Sequence, residues 1–219
     1  MAKRRKVGNL LALALLALLV PGRPMHPYEM AVLLRRTGKD QDMRIKWGSL
    51  YTVVQNLEKH GLLTAVDTGR SGRRPERTRY AITEAGVAEL HDWVRELVAD
   101  PEREHPRFAA ALSVLGVLSP DEATALLRER LRRLETDIEL ERAELARVGA
   151  EVPRLFLIEA EYALAVRTAE AEWIRSLLAE LTEGTLPGLD DWRRWHDTGG
   201  VPPGWTQLME EMDMGEETS

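Results

Sequence analysis

The stretch KWGSLYTVVQNLEKHGLLTAVDTGRSGRRPERTRYAIT, residues 46–83, changes its hydrophobic period midway. Leu50, Val53, Val54 and Leu57 recur at helical spacing, which predicts a helix from about Gly48 to His60, with Gly61 placed to end it. From Leu62 onward the pattern is no longer helical. Leu62–Thr68 and Arg77–Thr83 are short runs with β-branched and aromatic residues. They flank Gly69-Arg70-Ser71-Gly72-Arg73-Arg74-Pro75-Glu76, so a two-stranded hairpin with an unusually basic loop is expected.

If the apolar stripe of that helix faces a core, Ser49, Tyr51, Thr52, Gln55 and Asn56 face outward, with Lys46 just ahead of the first turn. Hydroxyls, amides and a phenol at a helix start are the groups that contact phosphates and base edges in a major groove. Arg70, Arg73, Arg74 and Arg77 lie in or beside the hairpin loop. Flexible cations there can follow a phosphate strand or enter a minor groove. Each feature alone also reads as an ordinary solvated face or turn; their direct succession favours a polyanion.

Upstream, His26–Arg36 reads as a helix, with Pro27 in its first turn and Met30, Leu33 and Leu34 on one face. Two helices, a short break and the Gly48–His60 helix make the arrangement of a helix-turn-helix. The apolar run Leu10 to Val20 follows Lys3, Arg4, Arg5 and Lys6 and so resembles a signal peptide. It is too short to span a bilayer, no small-x-small cleavage site follows, and Asn9 can cap a helix starting at Leu10. A buried first helix is the expectation.

Downstream, Thr83-Glu84-Ala85-Gly86 opens a helix with Val87, Leu90, Val94 and Leu97 as its apolar residues, ending near Asp100-Pro101. Phe108 to Leu118 reads as one helix. Ser119 or Asp121 caps the next, which runs to about Val148 with Leu127, Leu131, Leu134, Ile138, Leu145 and Val148 along it. A further helix, about Leu155 to Thr182, carries Ile158, Tyr162, Ala165, Ala169, Trp173 and Leu177. Two long antiparallel helices with stripes facing one way call for a partner, and a second subunit supplies it. From Gly184 the tail holds Trp192, Trp195 and Trp205 among Pro, Gly and acidic residues, and no element is assigned to it.

Charge divides the same way. Residues 1–100 carry 17 Lys+Arg against 11 Asp+Glu, and residues 101–219 carry 13 against 25, within a net charge of −6. A basic half joined to an acidic half implies that only the first meets a polyanion. The absence of cysteine excludes a disulfide framework and thiolate metal sites. His26, His60, His91, His105 and His196 show no metal spacing, so no metal and no cofactor are expected. There is no Walker loop, nucleophile elbow or dinucleotide fingerprint, and the acidic residues fall at helical surface spacing beside arginines, which argues against an enzyme.

Gly48-Ser49-Leu50-Tyr51, Leu57-Glu58, Gly61-Leu62 and Arg79-Tyr80-Ala81-Ile82-Thr83-Glu84-Ala85-Gly86 together resemble the PadR family of bacterial transcriptional regulators. His26-Pro27-Tyr28-Glu29 is similar to the opening of that family's second helix, which more often has Gly where Pro27 stands. The likeness covers about residues 10–98, and the helical remainder resembles the long C-terminal domain of the family's larger subfamily by layout and length. The resemblance implies a homodimer, usually a repressor, with winged helices on two half-sites and release by a small effector. It marks Tyr51 as a position the family keeps as tyrosine. Glu58 and Gly61 look architectural, and Gly86 reflects close packing.

The expected fold is therefore mainly α: a winged helix-turn-helix with a two-stranded β-wing over residues 1–100, then a helical dimerisation and effector domain over 101–183, then the tail 184–219. The expected partners are a double-stranded DNA operator, a second copy of the chain and a small-molecule effector, with no membrane, in the cytoplasm. Trp93, Phe156, Tyr162 and Trp173 are candidates to line an effector pocket, since flat ligands stack on aromatic rings, although aromatic residues at helical spacing commonly serve a core. A DNA-binding regulator without an effector, and a helical protein–protein adaptor, are the alternatives.

Overall fold

The computed structural model describes Arg5 and residues 7–38, 47–67, 78–101 and 103–199. It divides into two compact units, Met1–Glu104 and His105–Ser219.

The first unit is built around α1, Leu10–Leu19, whose sequence LLALALLALL is apolar on every side. Such a helix is stable in water only when surrounded. Leu11, Leu15, Leu16 and Leu19 are almost wholly buried, and α2 (Pro27–Arg36), α3 (Leu50–Lys59), β2 (Arg79–Ile82) and α4 (Glu84–Ala99) pack against it. Asn9 starts α1 as expected: its Oδ1 accepts from the Leu11 N–H at 2.9 Å. At the start of α2, His26 Nδ1 accepts from the Tyr28 N–H while Glu29 Oε2 accepts from the His26 N–H, a reciprocal cap. The helix α3 follows a 3-10 turn at Trp47–Ser49 and is stopped by Gly61 at φ +71°.

The hairpin is antiparallel, with β1 (Leu63–Asp67) pairing Leu63 with Ile82, Thr64 with Ala81, Ala65 with Tyr80 and Asp67 with Arg79. Tyr80 is bridged on its other side by Met25, through N–H to O contacts of 2.9 and 3.0 Å. The wing is thereby tied to the link between α1 and α2.

Thr83 joins the hairpin to α4. Its Oγ1 accepts from the Gly86 N–H and donates to the Gly61 carbonyl at 2.7 Å, and its N–H donates to the Leu62 carbonyl. Gly86 lies so close to β1 that an added Cβ would sit 2.2 Å from the Leu62 oxygen. That approach sets which face of α4 turns inward. Gly86, Leu90 and Trp93 are buried, whereas Val94 and Leu97 of the expected stripe are 43% and 44% exposed.

In the second unit, α5 (Arg107–Leu112) ends at Ser113 and a 3-10 turn at Leu115–Val117 follows, so Phe108 to Leu118 is broken in two where one helix was expected. Ser119 caps α6 (Pro120–Gly149), its Oγ accepting from the Glu122 N–H. A 3-10 turn at Arg154–Phe156 then leads into α7 (Ile158–Glu183), which returns along α6. Arg175 to Glu135 and Arg130 to Glu170 link the two helices.

The face of α7 buried within the chain is Ala171, Ile174, Leu178 and Leu181, the last three packed with Leu127. It is not the stripe the spacing suggested. Ile158, Tyr162 and Trp173 are 52%, 72% and 49% exposed, on a line roughly 140° around the helix from the buried one. Thus α7 has two apolar faces, and period alone selected the outer. The tail is partly structured: α8 (Leu189–Thr198) folds back on α6, with Leu189 buried and the Trp192 indole N–H donating to the Leu118 carbonyl at 2.9 Å. Trp205 lies outside the described residues.

Candidate nucleic-acid interface

Leu50, Val53, Val54 and Leu57, the stripe expected of α3, are all buried in the first unit's core. Tyr51, Thr52, Gln55, Asn56 and Lys59 are exposed, with Tyr51 at 56%. At about 100° per residue these five fill an arc of roughly 140° centred opposite the buried stripe. The helix therefore presents one continuous polar face carrying a phenol, a hydroxyl, two amides and an ammonium. Ser49 stands half-buried at the head of that face.

The start of α3 is fixed from α2. The Arg35 guanidinium lies 4.2 Å over the Trp47 ring, a cation–π contact that joins the end of one helix to the turn opening the next. From the other side, the Glu58 carboxylate comes near the β2 phenol of Tyr80. Burial first, and then Glu58, pushes the Tyr80 pKa up. The helix and the root of the wing are therefore packed as one body. The paired strands close at Asp67 and Arg79. Arg70, Arg73, Arg74 and Arg77, and likewise Lys46, lie outside the described residues.

The four aromatic candidates do not form one group. Trp93 is 5% exposed in the first unit's core, with the Arg5 guanidinium 5.2 Å over its ring. Phe156 and Tyr162 are 65% and 72% exposed on the second unit, and Trp173 meets Phe108 edge-on, with ring centroids 6.2 Å apart.

Sequence reading missed Arg5, which it named only among the four cations ahead of the apolar run Leu10 to Val20. Its side chain is 5% exposed and is held by Glu89 at 2.6 Å, by Asp92 at 3.5 Å and by Glu96. Burial opposes the charge, and the bonds to Glu89 and Glu96 outweigh it, so the pKa lies above the ordinary arginine value. Those three acids recur at i, i+3 and i+7 on α4, a signal that was available. Among the described residues no helix is long and apolar enough to cross a membrane, and no cluster of His, Asp and Glu is arranged to hold a metal ion.

A helix with an apolar inner stripe and a polar outer face, set between a preceding helix and a bridged hairpin, defines a winged helix-turn-helix. Residues 15–92 match the model of the transcriptional regulator PadR-like family, the family that the motifs resemble. The negative transcriptional regulator PadR of Bacillus subtilis is 27% identical over 93 residues, 42% of this chain and 50% of that protein. The matched stretch thus spans half the length of that relative.

The fold likeness extends further. Bacillus subtilis PadR solved in complex with operator DNA is 22% identical, with a TM-score of 0.64 over 78% of this chain and 99% of that one. The same protein solved in complex with p-coumaric acid gives 21% identity and a TM-score of 0.66, over 79% and 99% of the two chains. The family and these relatives are transcriptional regulators and not enzymes.

Proposed function

We propose that this chain is a sequence-specific DNA-binding transcriptional regulator that works as a homodimeric repressor and is released by a small-molecule effector. The observation that carries the reading is the polar face of α3 opposite its buried stripe. Ser49, Tyr51, Thr52, Gln55 and Asn56 supply donors and acceptors for base edges and phosphates in the major groove. Lys46 and the wing residues Arg70, Arg73, Arg74 and Arg77 supply the cations that hold the backbone. The relative that negatively regulates transcription, and its solution with operator DNA, support the same reading.

The second apolar face of α7, Ile158, Tyr162 and Trp173, supports pairing of two chains through the helical unit, which sets two winged helices on one duplex. Release by a ligand rests on the p-coumaric acid complex of the relative and on the aromatic residues of the second unit. In this arrangement Phe156, Tyr162 and Trp173 remain candidates for the effector, while Trp93 has a core role.

The test is electrophoretic retardation of the DNA upstream of the protein's own coding sequence. The full chain is expected to retard it, and Gln55→Ala with Asn56→Ala to reduce preference over random duplex. Each lost base contact should remove about 1–3 kcal/mol of discrimination. Retardation of random duplex as strong as that of the upstream fragment would refute sequence-specific binding.

A further inference from the structure

The second unit holds an open groove of about 450 Å³, lined by Phe108 of α5, by Val114 and Val117 of the following turn, and by Leu126, Leu127 and Arg130 of α6, among others. Val114, Val117 and Leu126 are 61%, 71% and 54% exposed, although the groove floor reaches the buried Leu127. That volume falls within the roughly 300–1,000 Å³ of small-molecule sites, which are mostly apolar with few polar groups.

The turn on one wall is fixed from behind by α8. The Trp192 indole N–H bonds the Leu118 carbonyl, and His196 Nε2 stands 2.9 Å from the Gly116 carbonyl. A wall held in this way is preorganised, which lowers the cost of binding. Arg130 is the only charged residue of the described lining. Its guanidinium stacks 3.8 Å over Phe108, and its Nε and Nη2 both donate to Glu170 Oε1. The guanidinium is thereby oriented, and among the described residues Nη1 meets no acceptor, so it can donate to a ligand.

We propose that this groove binds a small molecule with a compact apolar body and one hydrogen-bond-accepting oxygen. The body lies on Val114, Val117 and Leu126, and the oxygen accepts from Arg130 Nη1. Phe156, Tyr162 and Trp173 do not line this groove, so its binding of a ligand stands apart from the effector reading above.

The full chain is titrated with 1-anilinonaphthalene-8-sulfonate and with N-phenyl-1-naphthylamine, nearly the same apolar body without the sulfonate. Saturable binding of one dye per chain is expected, with the sulfonate roughly tenfold tighter, the size of one hydrogen bond to a charged group. Val117→Glu weakens both dyes at least about tenfold, with an unchanged urea midpoint because Val117 faces water. Arg130→Gln, checked by the same midpoint, removes the difference between the dyes.

The proposal is overturned if neither dye saturates, or if Val117→Glu and Leu126→Glu leave binding intact. It is also overturned if dye binds only to a chain ending at Gly199, which would assign the groove to residues 200–219. Retardation of operator DNA is read on the same samples, so loss of the groove and loss of the regulatory reading are told apart.

Discussion

Gly86 and Tyr80 show how single residues fix the geometry of the first unit. A methyl at Gly86 would meet the Leu62 carbonyl oxygen at 2.2 Å, a backbone atom that cannot rotate away. Gly86→Ala should therefore lower stability by about 1–3 kcal/mol, read as a fall in the urea midpoint; an unchanged midpoint would mean that α4 can slide off β1. Tyr80 titrates above its ordinary value of 10.0, through burial and then Glu58. On that basis the unfolded chain releases the phenol proton first as pH rises. Stability is then lost from about pH 10 up to the higher folded value, and Tyr80→Phe should lose less between about pH 9 and pH 11. Equal losses in both proteins would place the phenol in water. Of these two roles, the close packing of Gly86 was legible from its motif, while the bridge from Tyr80 to Met25 joins residues too distant in sequence for any period to reveal.

At the scale of elements, legibility followed the number of faces each helix buries. The helix α3 has one apolar stripe, so its period named Leu50, Val53, Val54 and Leu57 as buried and the remaining face as the interface. In α4 the apolar residues Val94 and Leu97 competed with Trp93, and the approach at Gly86 decided for Trp93, a long-range fact absent from local spacing. The helix α7 buries one apolar face and exposes another; spacing marked the exposed one, which the sequence reading gave to a second subunit, and left the inner face of Ala171, Ile174, Leu178 and Leu181 unmarked. The helix α8 carries tryptophans among charges and was hidden by its composition. The exposed face of α7 yields a test of the pairing. Tyr162→Glu at 72% exposure should leave the helix content intact and shift light scattering from dimer to monomer. It should also weaken operator binding, because the second half-site is no longer linked. A persistent dimer would move the pairing surface elsewhere. For the wing, neutralising Arg73 or Arg74 should lower the slope of log affinity against log salt by about one per lost phosphate contact. An unchanged slope in both variants would take the wing off the backbone.

Across the whole molecule, charge and architecture divide together. The excess of basic residues lies in residues 1–100 and the excess of acidic ones in residues 101–219, while the chain divides into its two compact units after Glu104. The acidic excess of residues 101–219 disfavours a polyanion, so the direct DNA contacts are expected in the winged unit. In a two-fold dimer, two α3 faces read the same bases in opposite directions, which requires an inverted repeat with half-sites about one helical turn apart. The most direct measurement is selection of binding sites from a random duplex library by the full chain, followed by sequencing. The account predicts enrichment of one inverted repeat, with Gln55→Ala altering the preferred bases symmetrically in both halves. Recovery of no motif beyond the starting library would contradict it.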